Sequence, residues 1–367
     1  MIKLENVTKV YVPDDPPAVK NLTMDIEDGD TCVLVGPSGC GKTTTMKMIN
    51  RLIEITDGKI YVNDEDISKV NPIQLRLNIG YVIQEIGLFP HMSIAENIAT
   101  VPKELKWPKN KIWERVDELL NMVGLDPEAF RNRKPRDLSG GQRQRVGVAR
   151  CLAADPPVML MDEPFGALDP ITRAHLQNEF LRIQEQIRKT IVFVTHDIDE
   201  AIKMGTKIAV MREGELVQYA TPEDLLSAPA NEFVVGMVGG NYSIKRLHLK
   251  RVDEIIDREP LTVSAEEPVS KVKELLEGSR VGVVMVVDGD NKLEGLVIPA
   301  DLKRDGERVG DIMGEPKVTS DSGATLNDAL SIMLTNGEGY AVVTDEKKRL
   351  EGVLTLNRIM EALQDNA

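Results

Sequence analysis

Eight residues within the first fifty have the composition and spacing of a loop that wraps around a chain of phosphates. The segment 36–43 reads GPSGCGKT, in which a lysine and a hydroxyl residue directly follow the last glycine. Glycines let backbone N–H groups point inward at an anion, and the positive end of a following helix adds to the attraction. The pattern predicts that Lys42 reaches the terminal phosphates, that Thr43 offers its hydroxyl to Mg²⁺, and that Thr44 adds a phosphate contact. The predicted nucleotide-binding residues here are Gly36, Pro37, Ser38, Gly39, Cys40, Gly41, Lys42, Thr43 and Thr44.

Two adjacent acidic residues at the end of an apolar run have the positions needed to assist hydrolysis. The segment 158–163 reads VMLMDE, and its apolar part has the length of a buried strand. Asp162 would hold Mg²⁺ through water, and Glu163 would accept the proton of an attacking water molecule. A solvated acidic turn is the alternative, but the phosphate-binding loop upstream favours the catalytic interpretation.

A third segment indicates which family of nucleotide-hydrolysing enzymes the chain resembles. Residues 138–142 read LSGGQ, and an alanine- and valine-rich helical stretch follows them. With the phosphate-binding loop before it and VMLMDE after it, the chain resembles the ABC ATPase family over residues 1–235. The resemblance implies that two copies dimerise head to tail and that the signature of each copy closes over the ATP of the other. The signature residues are Leu138, Ser139, Gly140, Gly141 and Gln142.

Four further residues take their roles from this resemblance. Tyr11 would stack on the adenine ring, with a tyrosine in a strand core as the alternative. Gln84 would touch Mg²⁺ or the attacking water and connect the site to a membrane subunit. Asp169 of the segment GALD would cross the dimer interface. His196 would contact the γ-phosphate, so that Glu163, His196 and Gln84 form the predicted catalytic set.

The elements that must position these residues are alternating strands and helices. An apolar run at 32–35 leads into the phosphate-binding loop as a buried strand. Apolar residues at helical spacing predict an amphipathic helix over 174–189, and a short helix is predicted over 221–227. The resemblance implies an α/β fold, a P-loop NTPase domain with a helical subdomain.

The segment after Gln84 supports two interpretations that are compatible. Ser93 and Glu96 have the spacing of a capping box at the start of a surface helix. By the resemblance, the same region, which includes His91, receives a helix of the membrane subunit.

Residues beyond 248 contain an internal repeat. Val252-Asp-Glu-Ile recurs as Val309-Gly-Asp-Ile, and Leu293-Glu-Gly recurs as Leu350-Glu-Gly, with the same offset in both pairs (309 − 252 = 57 and 350 − 293 = 57). The repeat resembles a tandem pair of CBS domains with an α/β fold, which implies a module that binds adenine nucleotides or serves in packing. The predicted division is a cassette over 1–236, a linker over 237–248, and CBS domains over 249–306 and 307–367.

Neither copy of the repeat keeps the full adenosine-binding pattern that the CBS resemblance implies, in which a hydroxyl residue precedes an aspartate by three positions. The first copy has Ile298 and Asp301 there, and the second has Thr355 and Arg358. Because an arginine favours a phosphate over a ribose, we expect a phosphate-rich ligand. The resemblance to regulated relatives implies cyclic di-AMP as the candidate. Tyr340 would stack on a base or, alternatively, be a partly buried strand residue. An ionic-strength sensor without a specific ligand is the rival hypothesis.

Composition excludes several other classes. The 367 residues carry a formal net charge of −14, so neither a nucleic-acid partner nor a general affinity for anionic lipid is expected. No apolar run approaches the roughly 20 residues that span a bilayer, and the N-terminus lacks the pattern of a signal peptide. Three cysteines are too few for a disulfide framework, and Cys40 is interpreted as a small loop residue, with a redox-active thiol as the alternative.

A cassette followed by two CBS domains resembles the ATP-binding subunits of quaternary-amine importers. The resemblance implies an ATPase that powers uptake of glycine betaine, carnitine, choline or proline from the cytoplasmic face of the inner membrane. It also implies a homodimer, two transmembrane permease subunits and a substrate-binding protein.

Three alternatives differ from this interpretation. The chain could serve an importer of another small solute, act as a soluble ABC ATPase in translation or DNA repair, or form a non-catalytic nucleotide sensor. A single set of motifs and the short interval between Lys42 and Ser139 disfavour the soluble class. Intact Glu163 and His196 disfavour the sensor.

Overall fold

The computed structural model describes residues 2–83, 87–166, 168–239, 242–278, 282–345 and 347–364. The chain forms two compact units, Met1–Gly240 and Asn241–Ala367. Across the described ranges, no helix combines the length and the apolar character needed to cross a membrane.

The strands of the first unit form a smaller antiparallel sheet and a larger, mostly parallel one. They are β1 (Ile2–Lys9), β2 (Val19–Ile26), β3 (Thr31–Val35), β4 (Asp57–Val62), β5 (Glu65–Asp66), β6 (Ile79–Val82), β7 (Val158–Asp162), β8 (Thr190–Thr195), β9 (Lys207–Arg212) and β10 (Glu215–Ala220). The antiparallel sheet has the order β2-β1-β4-β5, and the larger sheet has the order β10-β9-β3-β8-β7-β6. Every position of β3, β7 and β8 is buried, as expected where both faces of a parallel sheet are covered.

Helices cover the sheets and form a separate helical part between β6 and β7. The helices of this unit are α1 (Lys42–Ile49), α2 (Pro72–Leu77), α3 (Ile94–Ile98), α4 (Thr100–Glu104), α5 (Lys109–Met122), α6 (Pro127–Phe130), α7 (Gly140–Leu152), α8 (Pro170–Ile187), α9 (Ile198–Met204), α10 (Pro222–Ser227) and α11 (Glu232–Val238). Helices α3 to α7 make up the helical part, in which α7 packs against α3 and α5. The predicted capping box is confirmed, since Ser93 Oγ accepts from Glu96 N–H at 3.1 Å and Ser93 N–H donates to the Glu96 carboxylate at 2.6 Å.

One apolar core joins the two sheets to α1. Its fully buried members include Leu4, Leu34, Met46, Ile60, Leu160 and Val192. Each such side chain contributes about 2 kcal/mol by leaving water, so this core holds the loop between β3 and α1 against a rigid base. Helix α8 begins earlier than the predicted 174–189 because Pro170 occupies its first turn and Asp169 caps it.

The second unit contains the two copies of the repeat. Its elements are α12 (Tyr242–Lys245), β11 (Thr262–Val263), α13 (Val269–Gly278), β12 (Val284–Val287), β13 (Leu293–Val297), α14 (Val309–Ile312), β14 (Thr319–Ser320), α15 (Leu326–Asn336), β15 (Tyr340–Thr344), β16 (Leu350–Thr355) and α16 (Leu356–Gln364), with 3₁₀ turns at Arg246–His248, Val252–Glu254 and Asp301–Lys303. The sheets have the matching orders β11-β12-β13 and β14-β15-β16. Strands β11 and β13 start at the positions of the first copy that are equivalent to the starts of β14 and β16 in the second.

Each copy of the repeat begins with a segment that packs into the other copy. Val252 and Ile256 lie in the core around α15 and β16, whereas Val309 and Ile312 lie in the core around α13 and β12. Asp257 exchanges two backbone hydrogen bonds of 2.9 Å with Val353, and its equivalent in the second copy, Gly314, does the same with Leu296. The boundaries of the sequence repeat therefore differ from those of the packed cores, because the first segment of each copy belongs to the core of the other copy.

The two copies differ at their C-terminal ends. The second copy ends in α16, which buries Ile359 and Ala362, whereas the first copy has only the 3₁₀ turn at Asp301–Lys303. The stretch 355–363 reads TLNRIMEAL and has apolar residues at helical spacing, but its counterpart at 298–306, IPADLKRDG, does not. The predicted α/β architecture is confirmed, with a helical part in the first unit and two matching copies of a smaller fold in the second.

Candidate functional site

The predicted catalytic segments meet at one edge of the larger sheet. Strands β3, β8, β7 and β6 run parallel, with Val35 beside Thr195 and Asp162 beside Val194. The residues that follow these strands therefore emerge at the same edge, which is where open α/β sheets bind ligands. Gln84, which follows β6, lies outside the described residues.

The loop between β3 and α1 forms a tight cradle. The Lys42 ammonium is buried and donates hydrogen bonds to the carbonyls of Gly36 at 2.6 Å and Pro37 at 3.0 Å. Gly41 has φ of 104°, and a Cβ there would lie 2.5 Å from the Ala18 carbonyl oxygen. Only glycine fits this position, because the conformation is left-handed and the neighbouring backbone is close. Cys40 is buried, with its sulfur 3.7 Å from the Lys42 ammonium, and this agrees with a small side chain that fills the loop.

Thr43 and Asp162 bring two oxygen donors together beside the cradle. Thr43 Oγ1 donates to Asp162 Oδ1 at 3.1 Å. Burial raises the pKa of Asp162 because the charged carboxylate is partly desolvated. A hydroxyl and a carboxylate at this distance are the hard oxygen ligands that Mg²⁺ prefers, so the pair fits the predicted metal.

Glu163 and His196 face one another at the ends of β7 and β8. His196 Nδ1 lies 3.3 Å from Glu163 Oε1. Glu163 has φ of 44°, a left-handed conformation that is uncommon for a residue with a side chain. Its N–H donates to the Val194 carbonyl at 3.0 Å, which holds the turn against β8. The arrangement places a carboxylate and an imidazole where a water molecule could be activated.

The signature segment starts α7. Ser139 Oγ accepts from Gln142 N–H at 3.2 Å, and Ser139 N–H donates to Gln142 Oε1 at 3.0 Å, which forms a capping box. Gly140 and Gly141 occupy the first turn, where backbone N–H groups and the helix dipole favour an anion. Leu138, which precedes the capping serine, is buried.

Tyr11 and Asp169 occupy exposed positions near these elements. Tyr11 is 58% exposed, so the alternative of a tyrosine in a strand core is wrong. Its hydroxyl lies 3.3 Å from Thr44 Oγ1, which sets the ring beside the start of α1. Asp169 Oδ1 accepts from Thr172 N–H at 3.1 Å and so caps α8.

The candidate regulatory residues of the CBS pair are involved in internal contacts. Tyr340 is only 8% exposed and packs with Met285, Val342 and Val353, and burial raises its pKa to about 12. Arg358 donates to the carbonyls of Ile255 at 2.9 Å and Ile256 at 3.2 Å. Its guanidinium also lies 3.6 Å from Asp257. Thr355 Oγ1 accepts from Arg358 N–H at 3.4 Å.

Arg304 makes the matching contacts in the first copy, and sequence reasoning missed it. Arg304 donates to the carbonyls of Ile312 at 2.8 Å and Met313 at 3.3 Å, which are the repeat equivalents of Ile255 and Ile256. It also pairs with Asp301 at 3.1 Å. We call Arg304 and Arg358 the two arginine clasps. The only sequence signal for the Arg304 clasp was the three-residue spacing between Asp301 and Arg304.

A buried polar contact behind His196 was also missed. Gln177 Nε2 donates to Glu200 Oε1 at 2.8 Å, and this pair joins α8 to α9. A glutamate four residues after His196 was the available sequence signal.

Family models match both units of the chain. A model described as ABC transporter matches residues 19–166, and a model described as CBS domain matches residues 252–305 and 309–365.

Curated relatives match along the full length. A glycine betaine/carnitine/choline transport ATP-binding protein of Bacillus subtilis is 47% identical over 370 residues, which cover 100% of this chain and 97% of that protein. An osmoprotectant import ATP-binding protein of Salmonella typhimurium is 44% identical over 367 residues, which cover 99% of this chain and 96% of that protein.

A solved structure resembles the first unit. It is the dimeric post-hydrolysis state of an ATP-binding cassette bound to ADP and Pi, with 35% identity and a TM-score of 0.54. The match covers 60% of this chain and 99% of that one.

Proposed function

This chain belongs to the family of ABC transporter ATP-binding proteins that carry a tandem CBS pair, and we propose that it hydrolyses ATP to power import of an osmoprotectant. The supporting relatives are named for glycine betaine, carnitine and choline transport, and they match the chain from end to end. The proposed substrate class, glycine betaine, carnitine, choline or proline, follows from this similarity, with another small solute as the alternative. Residues 1–236 would be the cassette, 237–248 the linker, and 249–306 and 307–367 the CBS domains.

The observation that carries the ATPase proposal is the convergence of charged side chains at the carboxyl edge of the larger sheet. Lys42 lies in the cradle, the Thr43–Asp162 pair lies beside it, and Glu163 faces His196 at 3.3 Å. Lys42 would bind the β- and γ-phosphates, and Tyr11 would stack on adenine. Glu163 would take the proton of the attacking water, while His196 would contact the γ-phosphate.

Mg²⁺ would be held by Thr43 and Asp162, with Gln84 as a further ligand. When bound, the ion would neutralise charge that develops on the phosphate oxygens.

A second copy of the chain would complete the site. Its signature, with the N–H groups of Gly140 and Gly141 and the hydroxyl of Ser139, would close over the γ-phosphate. Asp169 would lie at the interface, and the dimeric state of the similar cassette supports this arrangement. Closure of the dimer would drive two transmembrane permease subunits, with a substrate-binding protein outside. The chain would then lie peripherally on the cytoplasmic face of the membrane.

The variant Glu163→Gln tests the catalytic role. We expect a loss of kcat of about 100-fold or more with ATP binding intact, because the general base is lost but the cradle is not. Glu223→Gln, an exposed acid on α10, is the matched control and should hydrolyse ATP at the normal rate. Normal hydrolysis by Glu163→Gln in the reconstituted transporter would contradict the assignment.

Uptake measurements test the substrate class. Reconstituted vesicles with the cognate permease and binding protein should accumulate labelled glycine betaine, carnitine, choline or proline in the presence of ATP. Failure with all four would overturn the substrate class and leave the ATPase assignment in place.

For the CBS pair, we propose a phosphate-rich regulatory ligand, with cyclic di-AMP as the first compound to test. The side chain of Arg358 keeps 42% of its exposure while it clasps the carbonyls of Ile255 and Ile256, so it can still meet an anion. Thr355 lies beside it, and Tyr340 would border the site. A response to ionic strength alone is the rival.

Arg304→Ala is a matched control for this ligand, because it removes the equivalent clasp from the first copy. Titration calorimetry with cyclic di-AMP should show binding by the unmodified chain and by Arg304→Ala, and loss of binding by Arg358→Ala. Unchanged binding by Arg358→Ala would remove Arg358 from the site, and no heat with the unmodified chain would favour the ionic-strength hypothesis.

A further inference from the structure

A buried carboxyl group lies in α9, the helix that begins two residues after His196. Glu200 is 8% exposed, and its Oε1 accepts from Gln177 of α8 at 2.8 Å. The hydroxyl of Thr195 lies close enough to the same carboxylate to favour its charged form. Thr195 is the last residue of β8 and immediately precedes His196.

A second set of contacts surrounds the same turn. Asp197 Oδ1 accepts from the N–H groups of Asp199 at 2.9 Å and Glu200 at 3.3 Å, so it caps α9. Asp197 N–H donates to Thr195 Oγ1 at 3.1 Å. His196 is thus held between two residues whose side chains are tied to the first turn of α9.

Burying the carboxyl group of Glu200 costs free energy. Burial raises its pKa because the charged form loses water, even though Thr195, Gln177 and the guanidinium of Arg173 favour the charge. An apolar side chain of similar volume would avoid that cost, which raises the question of what the carboxyl group contributes besides packing.

Helix α8 connects this turn to the segment that contains Asp169. Arg173 donates to the Leu168 carbonyl at 3.3 Å and lies 3.9 Å from the Asp197 carboxylate. Arg173 and Gln177 are four residues apart, so they share one face of α8. That face contacts Asp197 and Glu200 at the start of α9.

We propose that Glu200 is a positioning residue, which sets the orientation of His196 through Thr195, and that α8 links this setting to the loop of Asp169. The inference rests on the proposed role of His196 in hydrolysis. It predicts that the effect of Glu200 on the rate exists only while His196 is present. A residue that merely stabilises the fold would affect the rate in both backgrounds alike.

A double-mutant cycle separates these cases. We expect Glu200→Ala to lower kcat by about tenfold with KM for ATP within about twofold, since the histidine is misplaced while the cradle is intact. In a His196→Ala background, the same substitution should lower the residual single-turnover rate by less than about twofold. An equal loss in both backgrounds would overturn the positioning role.

Two further variants keep the test valid if Glu200→Ala folds poorly. Glu200→Gln keeps an oxygen that can accept from Gln177 and should recover most of the rate, whereas the nearly isosteric Thr195→Val should reproduce the loss of kcat. Normal kcat in Thr195→Val, or no recovery in Glu200→Gln, would contradict the inference. A normal rate in His196→Ala alone would instead refute the role of His196 in the proposed function.

Discussion

The nucleotide site and the arginine clasps use charged residues in different ways. At the carboxyl edge of the larger sheet, Lys42, Asp162 and His196 lie at or just after the ends of three neighbouring parallel strands. In the CBS pair, Arg304 and Arg358 are bound to backbone carbonyls and to an aspartate of their own unit. Charged side chains of the first region lie together at one edge of a sheet, whereas those of the second already bind groups of their own unit.

The difference between the two regions shows that a sequence motif can identify a charged residue without identifying its contacts. In the first unit, charged residues follow buried strands, and parallel strands must release them at one edge. In the second unit, Arg358 stands at the sequence position of Asp301, yet it makes the contacts that Arg304 makes in the first copy. Position in a repeat does not by itself define the contacts of a side chain.

The largest expected difference between the regions comes from removing a cation from the cradle. Lys42→Met keeps the apolar stem but loses the ammonium that would meet the phosphates, so we expect ATPase activity to fall by about 100-fold or more. The melting temperature of the nucleotide-free protein should stay within about 3 °C. A large loss of stability together with normal ATPase activity would instead show that Lys42 stabilises the fold, which is the behaviour expected of the arginine clasps.

A smaller effect is expected for the exposed ring beside α1. Tyr11→Ala should raise KM for ATP by about tenfold, because base stacking on an aromatic ring is worth about 1 to 3 kcal/mol. Tyr11→Trp keeps a stacking surface and should bind ATP normally. Equal KM values for the alanine variant and the unmodified chain would exclude Tyr11 from the adenine site.

The clasps should show the opposite pattern, with a loss of stability and little change in hydrolysis. Arg304→Ala and Arg358→Ala each leave two carbonyls without their guanidinium partner, which costs about 1 kcal/mol for such half-exposed groups. Thermal unfolding of the second unit should shift downward by a similar amount in both variants. A change in one variant only would show that the clasps are not equivalent.

The smallest expected effect is a change in melting temperature when the charge of Asp162 is removed. Because burial raises the pKa of Asp162, its ionised form destabilises the nucleotide-free fold at neutral pH. Asp162→Asn keeps an oxygen that can accept from Thr43, so it should raise the melting temperature of the nucleotide-free protein by about 1 to 3 °C.

The stability gained by Asp162→Asn should depend on pH. Because the pKa of Asp162 is raised in the native state, the folded protein takes up this proton at a higher pH than the unfolded chain does. The stability of the unmodified chain should therefore approach that of Asp162→Asn as the pH falls into the carboxyl range. Melting temperatures measured from neutral to acidic pH should therefore converge. A constant difference at every pH would contradict a charge-based cost.

Much of the first unit could be predicted because its signals are local. The run at 32–35, the loop at 36–43 and the acidic pair after β7 each specify a strand, a turn or a terminus within a few residues. The capping box of Ser93 is equally local, and it was predicted correctly. The start of α8 was placed late because a proline in the first turn and an aspartate cap lie outside the apolar periodicity.

The sequence alone determined the repeat, the order of the motifs and the identity of the groups that could bind phosphate, because each depends on spacing along the chain. Only the tertiary structure decided which groups meet. The contact of Glu200 with Gln177 joins residues 23 positions apart, and the clasp of Arg358 reaches a carbonyl 103 positions away. The exchange of starting segments between the two copies is a contact of the same kind. Such contacts arise from strand order and packing, which short sequence patterns do not encode.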